Sequence, residues 1–278
     1  MTKLEAIFLG LIQGLAEFLP VSSSGHLAII QNLFGIAADG EANLFFDVLM
    51  HLGTRVSVCV VYWKDLVEIV KELIAMIRGI GHPVPGGQKH YPAVRLLLMM
   101  AVSCIMLFLI LPVKDQVEKL SSHTGFVGFA LIMTGCMLYI ADRIPRGKKT
   151  EKNMRVLDAV IIGVCHCVAT IPGLSRSGTT ITAGLATGLD RQFAVKFSFL
   201  ISIPAVLAAN VLSLAEAVKA GVDMSMMPTY LIGMLVAMVV GYFALSFVKY
   251  ITQKGKFGWF SYYCWAVGVI AILLSIIL

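Results

Sequence analysis

Charge is what this chain has least of. Asp, Glu, Lys and Arg make up 14% of its 278 residues and hydrophobic residues 58%, against about 25% and about 45–50% in a soluble globular domain. So few charges cannot cover a water-soluble surface, and most of the solvent of this chain is lipid. A cleavable leader is also lacking: the stretch 3–19 carries Glu5, Gln13 and Glu17 where a signal peptide has an unbroken apolar core, and no small-residue cleavage site follows. The six cysteines (Cys59, Cys104, Cys136, Cys165, Cys167 and Cys264) lie in apolar segments without metal-ligand spacing. Cys165-His166-Cys167 reads as small residues packing helix on helix, because zinc sites need CxxC-like spacing and four ligands. The net charge of +6 reports orientation in a membrane, and no nucleic-acid partner is expected.

What is present is a series of long apolar runs. A helix needs about 20 apolar residues to cross the hydrocarbon core, and six stretches qualify: 42–63, 93–112, 125–141, 197–217, 228–248 and 257–278. The first carries Asp47, His51 and Arg55, so one side of it must face protein or water. His51 and Arg55 share that face and are read as packing or gating residues. Basic residues concentrate in 64–92, 142–158 and 249–256, while 113–124 and 218–227 have no such excess. The positive-inside rule puts the first three loops in the cytoplasm and the other two outside, an assignment that alternates across all six spans.

Two regions remain, 3–38 and 159–190, each apolar at both ends and broken by a polar Pro/Ser/Gly cluster. Their arms are too short to span but suit re-entrant helix–loop–helix hairpins, the first entering from outside and the second from the cytoplasm. The two halves also resemble each other: Leu19-Pro20-Val21-Ser22-Ser23-Ser24-Gly25 parallels Ile171-Pro172-Gly173-Leu174-Ser175-Arg176-Ser177-Gly178. The expected fold is an all-α polytopic membrane protein with six transmembrane helices and two re-entrant hairpins in an inverted-topology repeat. It forms a single integral membrane domain, 1–278, with pseudo-repeats of about 1–141 and 156–278 joined by a basic cytoplasmic linker, 142–155. Both termini are expected outside. In such repeats the site lies near the midplane, where the halves meet, so the two loops should face each other.

The first loop offers Gln13, Glu17, Ser22, Ser23, Ser24 and His26, with Gln13 and Glu17 one helical turn apart. The second offers Ser175, Arg176, Ser177, Gly178, Thr179 and Thr180 ahead of an apolar run. A helix N-terminus with hydroxyls, a glycine and an arginine is an anion cradle. Together the loops supply a cation, hydroxyls, a carboxylate and an imidazole, the set needed to break a P–O bond as well as hold a phosphate. Taken singly, any of these serines is more readily a helix cap than a nucleophile.

The run Gln13-Gly14-Leu15-Ala16-Glu17-Phe18-Leu19-Pro20-Val21-Ser22-Ser23-Ser24-Gly25-His26 resembles the first signature of bacterial undecaprenyl-diphosphatases of the bacitracin-resistance type. Pro172-Gly173-Leu174-Ser175-Arg176-Ser177-Gly178-Thr179-Thr180 resembles the second. The resemblance covers essentially the whole chain. It implies hydrolysis of undecaprenyl diphosphate to the monophosphate, recycling the cell-wall lipid carrier, in the bacterial plasma (inner) membrane, with a site open to the outer, periplasmic face. It implies a divalent cation, Mg2+ or Ca2+, with Glu17 as a ligand. It further implies Glu17, Ser23, His26 and Arg176 as catalytic residues, with Gln13, Ser22, Ser24, Ser175, Ser177 and Thr180 binding substrate. Ser23, His26 or water could be the nucleophile. Where many members of the family have a glutamate, this chain has Gln13, and the resemblance gives Arg55 no role. The expected partners are a polyprenyl diphosphate and membrane lipid, and a homodimer is compatible with the pattern. The type-2 phosphatidic-acid phosphatases are set aside because Ser175-Arg176 is followed by Ile181 where they need a histidine. The rival from another class is a transporter or flippase of polyprenyl phosphate.

Overall fold

The computed structural model describes residues 1–34, 41–78, 82–83, 89–220, 223–254 and 257–277. Parts of the sequence reading, among them 35–38 of the first hairpin, Lys256 and Leu278, lie outside the described residues. Apart from a two-residue antiparallel pairing of His82 with His90 and Pro83 with Lys89, the described chain is helical. Its helices are α1 (Lys3–Phe18), α2 (Ser23–Phe34), α3 (Glu41–Val61), α4 (Trp63–Ile77), α5 (Pro92–Ile105), α6 (Lys114–Lys119), α7 (Thr124–Ala141), α8 (Val156–Val168), α9 (Arg176–Ala186), α10 (Arg191–Ala220), α11 (Met227–Lys254) and α12 (Trp259–Ile277).

Among the described residues, five helical runs are long and apolar enough to cross a membrane: Pro92–Val113, Thr124–Ala141, Arg191–Ala215, Met224–Lys254 and Trp259–Ile277. A sixth is counted if the bent pair α3–α4 is one span. Many large apolar side chains on these helices point outward, Phe108, Phe129, Phe243 and Ile270 among them, as expected where lipid replaces water. The chain is a multi-pass membrane protein.

The segment 64–92, read from its charges as a loop, instead begins with α4, which turns 75° away from the end of α3. Its charges alternate with an apolar stripe: Trp63, Val70, Ile74 and Ile77 share one exposed face. An exposed apolar stripe opposite a charged face is the pattern of an amphipathic helix. Glu72, on its other face, accepts the free N–H groups of Ala93 (2.7 Å) and Val94 (3.2 Å) at the start of α5. A short helix, α6, also occupies part of the predicted loop 113–124.

Packing follows the repeat. In the first half α1 lies on α11 of the second; in the second half α8 lies on α5 of the first. α3 packs on α10 and α7 on α12, each pair joining corresponding elements. The α7–α12 contact depends on two glycines. A Cβ on Gly128 would sit 2.7 Å from the Gly268 carbonyl oxygen, and one on Gly268 would sit 2.6 Å from that of Gly128. With no hydrophobic drive between helices in lipid, such close backbone approach supplies the van der Waals contact. The basic linker is pinned: Lys149 N–H donates to the Gly188 carbonyl (3.1 Å), Asp190 N–H donates to that of Lys149 (2.8 Å), and the Lys149 ammonium pairs with Asp158 at 2.9 Å.

Candidate active site

Each hairpin breaks at a proline. Pro20 follows the end of α1, and the chain turns through Ser22, whose φ of 70° is a left-handed conformation that non-glycine residues rarely adopt. Ser22 Oγ then caps α2, accepting the Gly25 N–H at 3.2 Å. In the second hairpin Gly173 takes a φ of 94°, and Ser175 caps α9 by accepting the Gly178 N–H at 3.1 Å. The two turns touch. Ser22 Oγ donates to the Leu174 carbonyl (3.4 Å), and a Cβ on Gly25 would lie 3.0 Å from Gly173 Cα. The loops that the sequence places in opposite halves do face each other.

Glu17 joins them. It lies in the last turn of α1, almost wholly buried. Its Oε1 accepts from Nη2 of Arg55 and from Nη2 of Arg176. Its Oε2 accepts from Ser23 Oγ at 2.8 Å and from Gln13 Nε2 at 3.0 Å. Gln13 Nε2 also donates to His51 Nδ1 at 3.0 Å; these two acceptors fix the orientation of the amide. The opposite amide atom, Gln13 Oε1, is buried without a hydrogen-bond partner.

The predicted residues thus divide into three groups. Gln13, Glu17, Ser23 and Arg176 converge. Ser175, Ser177 and Thr180 are buried in the scaffold beneath Arg176: Ser175 as the cap, Ser177 with its hydroxyl 3.3 Å from that of Ser175, and Thr180 donating to the Arg176 carbonyl (2.8 Å) with its hydroxyl 2.5 Å from that of Ser198. Ser24 is exposed, its hydroxyl 3.3 Å from that of Ser22. His26 is held apart from Ser23: its Nδ1 is 2.7 Å from the Ser22 carbonyl oxygen and its Nε2 is 2.8 Å from Tyr263 Oη, with the two rings stacked. With Nδ1 donating to that carbonyl, Nε2 accepts from the tyrosine.

Three residues on this site were not among the predicted set. His51 and Arg55, read as packing or gating, both come from α3 onto the Glu17 cluster. Tyr263, from α12, holds His26. The four-residue spacing of Asp47, His51 and Arg55 marks their common face in the sequence, and the cost of burying a guanidinium signals a hidden anion. Nothing in the sequence pairs Tyr263 with His26.

A divalent cation resident on Glu17 does not fit this donor set. Both carboxylate oxygens already serve four donors, and the side chain one turn before is an amide. Among the described residues, no group of three or more His, Cys, Asp or Glu side chains could hold a metal ion. Magnesium and calcium ask for about six or more oxygens, and Gln13 Oε1 supplies one.

A family model described as bacitracin resistance protein BacA matches residues 6–270. A protein of Carboxydothermus hydrogenoformans named undecaprenyl-diphosphatase is 40% identical, covering 99% of this chain and 98% of its own length. One of the same name from Alkaliphilus metalliredigens is 40% identical over 100% of both, and one from Methanosphaera stadtmanae is 35% identical over 99% of both. With near-complete coverage on both sides, the chain belongs to the bacitracin resistance protein BacA family.

Proposed function

We propose that the two-loop site hydrolyses undecaprenyl diphosphate to undecaprenyl phosphate and inorganic phosphate, returning the lipid carrier to cell-wall synthesis. The relatives' names support the reaction, and one observation supports its placement: Glu17 accepts the Ser23 hydroxyl on one oxygen and holds Arg176 on the other. A transporter would need neither a hydroxyl aligned on a carboxylate nor these names, so the flippase reading is not favoured.

Arg176 sits at the N-terminus of α9, where backbone N–H groups and the helix dipole also favour an anion. It and those amides take the phosphate oxygens and stabilise charge on the transferring group. Ser23 Oγ attacks the terminal phosphorus as its proton passes to Glu17, and the bridging P–O bond breaks as undecaprenyl phosphate leaves and takes that proton. A loose transition state asks little of the base, which suits a carboxylate held by two guanidiniums. Water, losing a proton to the freed carboxylate, then attacks the phosphoserine; the Ser23 O–P bond breaks, phosphate leaves, and Glu17 returns the proton to Ser23 Oγ. His26, held by Ser22 and Tyr263, shapes the loop on the side where the lipid enters; Ser24 and Gln13 complete the lining. A divalent cation, Mg2+ or Ca2+, would arrive on the diphosphate and neutralise its oxygens there.

For placement in the membrane we propose re-entrant hairpins, α1–α2 from outside and α8–α9 from the cytoplasm, in an inverted repeat within the plasma (inner) membrane. The reciprocal packing of α1 on α11 and α8 on α5 supports this, as does the distribution of basic loops. Both loops come from one chain, so a homodimer would add no residue to the site.

The test is phosphate release from a polyprenyl diphosphate by purified protein. Arg176→Ala should lose about 100- to 1,000-fold, the effect of removing one donor to a transition-state oxyanion; equal activity in the two proteins overturns the site. Rapid quench with terminally labelled substrate should trap label on wild type and none on Ser23→Ala. An unlabelled wild type would transfer the attack to water.

A further inference from the structure

Arg55 is the residue neither resemblance nor mechanism accounts for. It lies in α3, only 2% exposed, where an unpaired guanidinium would be very costly. Both of its terminal nitrogens are committed: Nη2 to Glu17 Oε1 and Nη1 to Ser202 Oγ at 2.5 Å. The Phe18 ring lies 6.0 Å from its guanidinium carbon. Closed away in this manner, it is not free to turn to the phosphate oxygens of a substrate.

Arg176 differs. Its side chain keeps 20% of its surface and shares the same Glu17 oxygen. When a diphosphate draws Arg176 toward phosphate oxygens, a carboxylate with no second cation would be left buried and uncompensated, which is strongly unfavourable. Arg55 prevents that, because its pairing with Glu17 does not depend on substrate. A metal ion bound to Glu17 would do the same work. The charges agree: Glu17, Arg55 and Arg176 sum to +1, and a resident divalent cation would raise this to +3 among mostly buried groups. In a chain with Glu at position 13 and an apolar residue at 55, the cluster would be two units more negative, the charge of one such ion.

We infer that Arg55 takes the electrostatic place of a divalent cation beside Glu17, so that this chain holds its diphosphate site without a metal resident on that carboxylate. Arg55 is therefore a positioning residue that acts through Glu17. The inference rests on the reading of Glu17 and Arg176 as the diphosphate site.

Mn2+ binding to the full-length protein in detergent, followed by electron paramagnetic resonance without substrate, tests it. Wild type and Glu17→Gln should give the same binding curve. The double variant Gln13→Glu/Arg55→Leu should gain one bound Mn2+ per chain, at least tenfold tighter than anything in wild type, whereas Arg55→Lys should gain none. A wild-type Mn2+ site that Glu17→Gln abolishes overturns the inference, as does a monodisperse double variant that binds nothing. If the double variant does not fold, the comparison of wild type with Glu17→Gln decides alone. Full activity in Arg176→Ala would sink the site reading instead and leave the Mn2+ result standing.

Discussion

Glu17 accepts hydrogen bonds from Arg55, Arg176, Ser23 and Gln13 at a position with almost no solvent. Removing its charge strands Arg55 in an apolar span. Glu17→Gln should therefore destabilise the protein by about 3–5 kcal/mol, the cost of breaking a buried pair. Adding Arg55→Leu should restore most of that loss, since replacing both partners removes the orphaned charge. Thermal melts of the two single variants and the double in detergent would show it; strictly additive losses would mean the groups do not interact. Tyr263→Phe is a milder probe. It deletes one hydrogen bond to His26 and keeps the ring stack, so kcat/KM should fall about fivefold, equivalent to about 1 kcal/mol. Unchanged kinetics would make the His26–Tyr263 pair idle in turnover. Glu17, Ser23 and Arg176 were legible because each stands in a polar break inside an apolar run. Arg55 was legible only as an oddity: periodicity gives the face of a helix, and the partner across that face comes from 38 residues away.

At the level of elements, the breaks were the clearest signal and the bends the weakest. Pro20 follows the C-cap of α1 and Pro172 lies in the turn beyond α8, where neither can continue the helix, and serine caps start the next ones. The fold at Trp63 was hidden, because α4 has the charges of a loop and its apolar stripe is visible only after a helix is assumed. The α7–α12 interface gives a direct check on packing without chemistry. Gly268→Leu would drive a side chain into the Gly128 carbonyl, and since backbone cannot yield as a flexible side chain does, the helices must part. The expected cost is about 1–3 kcal/mol, as for overpacking in a core, seen as a lower melting temperature. α12 also carries Tyr263, which holds His26, so turnover per folded molecule should fall no further than in Tyr263→Phe; a larger loss would mean the interface moves during the reaction.

Across the whole molecule, the charge map of the loops and the reciprocal packing of the halves lead to one geometry. The two loops meet between Gly25 and Gly173, and Ser24 is exposed beside them. In the proposed orientation the N-terminus lies outside, and the turn of the first hairpin would reach down from the outer face. The lipid's diphosphate headgroup, too polar to sit among acyl chains, should then come to the site from that face. A cysteine at position 24, in a background with the six native cysteines replaced, should react with a membrane-impermeant maleimide in right-side-out vesicles and be spared in inverted ones. A substrate analogue occupying the site should slow the labelling, because Ser24 lies beside Ser22 and Ser23 at the entrance. Labelling from the cytoplasmic side alone would reverse the orientation of both hairpins, since the inverted repeat ties the entry of one to that of the other.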